Sequence, residues 1–465
     1  MEFFLMIGAA TLLIAVLTAS VYQKHQDVGL LVGIGAFYYW TLYGAWYIVI
    51  DKMGGFSGKN YHYLEYKMFP LALDGTYMLT LALYAGFILV ILLTLLGSLS
   101  KDRRLEVPRL MLRHEPILII AVLAGLASWF IIKDKLSEAW ALNTSAYLYT
   151  RRQTDEWFTL HQVLNRVAML PPAIGFATLL AGEKSRYFVN VVRRYTWPGY
   201  LLLFTGMGAF AFVLGNKNEV FTALLTGLLA YFASLKRPSF LKVGLLLAVG
   251  MWFLYTIDLF RGTPISEMQE VISQRLEDAT EVGNFVASSN EGYAAHFSLY
   301  GVLANGVEPR FGYSIYSLIC SAVPRVLWPD RPPDIYAYYS ESVGAIQNQG
   351  YSVHHATGWF LNFGYAGVPL GALVLGLVWA RFMNAHQKIR PESGLAYRLF
   401  ATISPWLFVA YLPSLIRAGP EGYKGLVVEG LMIPMIVLSF ACRPKRELMP
   451  LIWNEHQGWI IAEAP

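Results

Sequence analysis

Charge is what this sequence has least of. Only 14% of its 465 residues are charged and mean hydropathy is +0.44, where a soluble domain carries about 25% charge. Disordered and fibrous classes are excluded by that balance. Cysteine is nearly absent: Cys320 and Cys442 lie in separate apolar contexts, and two such residues, one of them expected at a cytoplasmic edge, make no disulfide scaffold. The opening run MEFFLMIGAATLLIAVLTASVY lacks the basic n-region of a signal peptide and carries Glu2 instead, so it reads as a retained anchor helix. Internal repeats, low-complexity tracts and polar linkers are also missing, and the chain reads as a single integral membrane domain over 1–465. An excess of 36 basic over 31 acidic residues is too small to argue for nucleic acid.

What is present is apolar length. Hydrophobic residues make up 56% of the chain, in runs that reach the roughly 20 residues needed to cross a bilayer. Such windows fall near 3–22, 28–50, 73–98, 116–133, 163–182, 197–214, 219–235, 242–260, 358–382, 399–416 and 424–442. The expected fold is an all-α polytopic membrane protein of about 11 transmembrane helices. Basic clusters at 101–113, 184–194, 236–242, 388–398 and 443–446 alternate with basic-poor connections. The positive-inside rule then places the N-terminus outside and the C-terminus inside. Two outward segments are long, 134–160 and 261–356. Within the second, AAHFSLYGVLA and GYSIYSLICSAVPRVLW are apolar but too short to span, which predicts amphipathic or re-entrant helices.

The loop 261–356 holds five arginines, no lysine and ten acids. Arginine presents a planar fork of donors that grips phosphate bidentately and keeps its charge when half-buried. Arg310, Arg325 and Arg331 flank an apolar segment and a Pro-rich turn, stiff enough to shape a pocket. Arg417, in SLIRAGPEGYKG, stands at the outer end of a span, where basic residues are less expected. Arg166, in HQVLNRVAML, is an intramembrane charge and so a site candidate by default. These five are candidate anion ligands, although pairing with neighbouring acids explains a loop arginine equally well.

Candidate proton acceptors are His354 and His355, where the chain re-enters the membrane, with Glu291 and His296 behind them. A metal site needs more ligands than an HH pair supplies. The aromatic cluster at 336–339, including Tyr338 and Tyr339, together with Tyr351, offers ring faces suited to sugars, and interfacial belts account for many of the other aromatics.

Three segments carry a resemblance. FGYSIYSLICSAVPRVLWPDRPP, then GWFLNFGYAGVPLGALVLGLVW, then SLIRAGPEG occur in this order, and the run resembles the Wzy-type oligosaccharide repeat-unit polymerases of O-antigen and exopolysaccharide synthesis. The match covers about a third of the chain. Arg331 stands where that family commonly has lysine, and Gly358 stands where an acid often precedes the Asn-Phe-Gly segment. The resemblance implies a GT-C-like, inverting, metal-independent glycosyltransferase with no cofactor, multi-pass in a bacterial inner membrane, with its active site on the periplasmic side. Donor and acceptor would be undecaprenyl-diphosphate-linked glycans. Arg310, Arg325, Arg331, Arg417 and Arg166 would hold the diphosphate, and Asn362 would join the tyrosines at the sugar. A polysaccharide chain-length regulator is an expected partner, alongside membrane lipid. The rival readings are an O-antigen ligase-like transferase and a flippase for the same lipid-linked glycans.

Overall fold

The computed structural model describes residues 1–52, 72–100, 109–144, 156–235, 292–321, 330–344, 352–444, 451–454 and 458–461, apart from single positions 216 and 391, together with isolated residues between 245 and 328. The helices are α1 (Glu2–His25), α2 (Val28–Tyr38), α3 (Gly44–Lys52), α4 (Gly75–Ser98), α5 (His114–Ala141), α6 (Glu156–Ala181), α7 (Thr196–Leu214), α8 (Lys217–Ser234), α9 (Gly292–Ala304), α10 (Tyr313–Cys320), α11 (Ile335–Ser342), α12 (His355–Phe363), α13 (Gly367–Met383), α14 (Leu395–Arg417), α15 (Gly422–Gly425) and α16 (Ile433–Ala441). Two π-helical segments, Tyr39–Tyr43 and Leu426–Met432, carry the chain from α2 into α3 and from α15 into α16. Aspartates start several helices: the Asp27 and Asp74 carboxylates accept from the Gly29 and Tyr77 amides at 2.6 and 2.7 Å, satisfying donors that a helix start leaves open.

Among the described residues, eight helices are long and apolar enough to cross a membrane, so the chain is a multi-pass membrane protein. They coincide with the apolar windows except three. The windows 197–214 and 219–235 are helices α7 and α8, of 19 and 18 residues, outside those eight. The window 242–260 lies, but for Leu245, outside the described residues. The expected outer segment 134–160 begins as helix, because α5 runs on to Ala141.

The helical fold also carries strands that hydropathy does not reveal. β1 (Leu110–Arg113) pairs in parallel with β2 (Phe188–Val191) and antiparallel with β3 (Cys442–Pro444). A hairpin of β4 (Leu451–Asn454) and β5 (Gly458–Ile461) follows. The three-stranded sheet has a topological consequence. It joins three of the five basic connections at one end of the molecule. The helix ends that lead into the other two lie there as well: the Arg186 amide donates to Ser234 O at the end of α8, and the Ser100 amide donates to Asn384 Oδ1 at the end of α13. Cys320 and Cys442 are both free and buried.

Packing divides into two large apolar clusters and a small third around Ala385, Ile389 and Ala401. One large cluster joins α1–α4 with α9, α11–α14 and α16; the other joins α5–α8, and α5, α6 and α8 contribute to both. Of the two short loop helices, α9 is buried from Ala294 through Val302 and packs as part of the interior. α10 is inverted: Ser314, Ser317 and Cys320 face inward, while Ile315, Tyr316 and Ile319 are exposed. Such a face suits lipid better than water.

Candidate functional site

The seam between the two large clusters, at the end away from the sheet, gathers Arg166, Glu219 and Glu429 from apolar helices. A small cavity there, about 20 Å³, is lined by Arg166 and Met169 of α6, Asn218 and Glu219 of α8, and Tyr411 and Ser414 of α14, among others. That volume is room for a single water. Arg166 forms an ion pair with Glu429, and the Tyr411 hydroxyl donates to the same carboxylate at 2.5 Å. Glu429 sits on the π-helical segment Leu426–Met432; such segments often mark functional positions. The network continues inward: Asn165 Nδ2 donates to Glu219 Oε2 at 3.2 Å, and the Ser128 hydroxyl lies 3.0 Å from Asn165 Oδ1 and 2.7 Å from His161 Nδ1. Charge this deep in apolar helices is costly unless paired, and here each acid faces a donor.

Arg417 closes this seam at the end away from the sheet. Its Nε donates to Ser352 Oγ at 3.0 Å, and its Nη1 lies 3.5 Å from Asn218 Oδ1. Asn218 therefore stands between the two arginines: it lines the cavity with Arg166 and touches Arg417. Two residues named separately from sequence, Arg166 and Arg417, meet at one site. Glu219 and Glu429 belong to it too and were missed, because a lone acid in an apolar run gives no sign of the face it occupies.

The other candidate arginines lie elsewhere. Arg310 is exposed and stacks its guanidinium 3.8 Å from the Tyr338 ring centroid, and the Tyr338 hydroxyl donates to Glu308 O at 2.7 Å. Arg331 donates to Ser321 O and Val323 O at 3.3 and 3.1 Å, closing its own turn. Arg325, Glu291 and Tyr351 lie outside the described residues. Tyr339 is fully buried. Asn362 is a buried brace: its Oδ1 accepts from the Ser314 amide at 2.9 Å and its Nδ2 donates to Ser314 Oγ and Gly358 O.

The three histidines are buried too, and their ring nitrogens are largely spent on the fold. His296 Nδ1 donates to Thr41 O at 2.5 Å, while its Nε2 accepts from the Tyr77 hydroxyl at 2.8 Å. Burial pushes this imidazole down to about 4. His355 Nδ1 donates to Leu415 O at 3.3 Å and its Nε2 accepts from Trp359 Nε1 at 3.1 Å. His354 caps α12, its Nδ1 accepting from the Ala356 amide at 3.1 Å; burial, with His355 and His296 nearby, holds it well below the usual range. None of the three lines the cavity at Arg166.

What His355 and the neighbouring Val353 do is hold the Arg417 turn. The Val353 amide donates to Arg417 O at 3.0 Å, beside the His355 bond to Leu415. Gly419 takes φ +62°, and a Cβ on Gly358 would collide with Pro420 Cδ and lie 3.1 Å from Gly419 Cα. So the re-entry segment and the late-arginine segment, 50 or more residues apart in sequence, are one interlocked unit. Gly358 is glycine because the turn presses directly on it.

No family profile, curated protein or solved structure matches this chain.

Proposed function

We propose that this protein is a membrane glycosyltransferase that polymerises lipid-diphosphate-linked oligosaccharide repeat units at the membrane face opposite its basic end. One observation carries the reading: Asn218 lines a cavity with Arg166 and touches Arg417, beside two carboxylates, at the end of the helix bundle away from the sheet. A glycosyl diphosphate builds negative charge on its leaving group as the glycosidic bond breaks, and fixed guanidinium donors stabilise that charge in a dry setting.

In the proposed step an acceptor sugar hydroxyl attacks the anomeric carbon of the donor glycan. The C–O bond to the diphosphate breaks and its electron pair leaves with the phosphate. The hydroxyl proton passes to a base. With the histidines enclosed in the fold, Glu219 is the better base, since it lines the cavity and is oriented by Asn165. Arg417, at the mouth, meets the diphosphate first. The cavity holds no more than a water, so in this reading the helices at the seam part to admit the diphosphate and the acceptor hydroxyl to Asn218, Glu219 and the arginines.

The deciding experiment supplies the purified full chain with lipid-linked repeat units and follows glycan length. Longer glycans in wild type, lost in Arg417→Ala and Glu219→Gln, support the reading. Transfer to a lipid A core acceptor without elongation would make it a ligase instead. A flippase is the second reading, because an ion pair within spans also suits a transport path; movement of lipid-linked glycan across vesicles without bond formation would establish it.

A further inference from the structure

At the basic end of the molecule a second cavity, about 430 Å³, lies where α4 and α13 finish. Its polar lining is Ser98, Ser100, Arg381, Asn384, Gln387 and Lys388, with no acid among the described lining residues. Helix C-termini normally repel anions, because their last carbonyls are unpaired. Here two of those at the end of α4 are occupied. Lys24 Nζ donates to Leu96 O at 2.5 Å, and Asn384 Nδ2 donates to Ser98 O at 2.9 Å. The charged side chains among the described lining residues are Arg381 and Lys388, both cationic.

The wall of the cavity continues into an apolar track. Leu370, Leu373 and Leu377 step along one face of α13 and lead to Arg381; they are 43%, 43% and 49% exposed. Their spacing of three and four residues keeps them on one helical face, and on a membrane helix an exposed leucine face meets acyl chains. Snorkelling alone would place single cations at the interface. What it does not provide is a cavity that two cations, two amides and two serines share at the foot of a leucine track.

We propose that this cavity binds the phosphate headgroup of an anionic membrane phospholipid, with an acyl chain along the Leu370–Leu373–Leu377 track. Arg381 grips the phosphate bidentately and Lys388 adds a point charge; Gln387 and the serines supply neutral donors. The site is separate from the one at Arg166 and does not depend on the proposed activity.

The test is native mass spectrometry of the full chain released from detergent, with phosphatidylglycerol, phosphatidylcholine or inorganic phosphate added. Phosphatidylglycerol is expected to stay bound at activation energies that strip phosphatidylcholine. Arg381→Gln and Lys388→Gln should each weaken its retention about fivefold, the worth of one cation at a membrane surface. Arg381→Lys should weaken it less, and Arg390→Gln, outside the cavity, should leave it unchanged. Both tested cations are exposed, and unchanged thermal midpoints will show that the variants fold. Equal retention of the two lipids, or equal loss in Arg390→Gln and Arg381→Gln, overturns the site. Displacement of the lipid by inorganic phosphate at equal concentration overturns the lipid in favour of a soluble phosphate ligand.

Discussion

Arg166 on α6 and Glu429 on the π-helical segment before α16 are ion-paired across the seam between the two packing clusters, with the Tyr411 hydroxyl on the same carboxylate. The pair holds together two helices that meet the membrane interior with opposite charges, and neither charge is tolerable there alone. Glu429→Ala is therefore expected to destabilise the protein by roughly 1.5–3 kcal/mol, the range for a hydrogen bond to a charged group. Replacing both residues with methionine should recover much of that loss. Thermal midpoints of the single and double variants in detergent decide it; a double variant as unstable as the sum of the singles would mean that the two residues act independently.

Arg417 reads differently. Its side chain is partly exposed and its backbone is fixed by Val353, so the side chain can be removed with little loss of packing. Arg417→Ala should lower polymer synthesis by about 10²-fold, the usual cost of one preorganised donor at a developing anion, with a thermal midpoint near wild type. Arg417→Lys should restore little, because an ammonium does not reproduce the guanidinium fork toward Ser352, Asn218 and phosphate. Glycan ladders from lipid-linked repeat units measure both variants.

Gly358 is the contact on which the Arg417 turn rests. Gly358→Ala forces a methyl group against Pro420 and Gly419, and overpacking of this kind costs about 1–3 kcal/mol. The substitution should lower the thermal midpoint and also reduce activity, since Arg417 moves with its turn. An alanine variant with wild-type midpoint and wild-type chain length would show that the turn yields freely.

The buried histidines predict the acid limb of stability. His296 is held at about 4 and His354 well below its usual value, both by burial, while in the unfolded chain an imidazole titrates near 6.5. Between those values the unfolded state binds more protons, so stability falls as pH drops below about 6.5 and continues falling toward 4. Above pH 7 these groups contribute no pH dependence. Thermal midpoints measured from pH 7.5 to 5 should decline, and His296→Gln should flatten the decline. A midpoint that does not change over that range would mean that neither ring is kept neutral by the fold.

The sequence by itself determined the membrane class and most of the spans, because bilayer insertion depends on the apolarity of about 20 consecutive residues, a property each window carries alone. The basic connections likewise indicated a common face, and the sheet and its neighbouring hydrogen bonds bring to one end four of them and the helix end that leads into the fifth. Arg166 and Arg417 were recognisable because charge at those positions is locally anomalous. Only the tertiary structure decided what they stand beside. Glu219, Glu429 and Asn218 reach the site from helices far apart in sequence, and the face a residue occupies in a bundle depends on packing partners that no window contains. The same reason separates the histidines from the site. His354 and His355 look reactive at a membrane re-entry, yet both are buried: His354 caps its own helix through Ala356, and His355, bonded to Trp359 and Leu415, helps fasten the Arg417 turn.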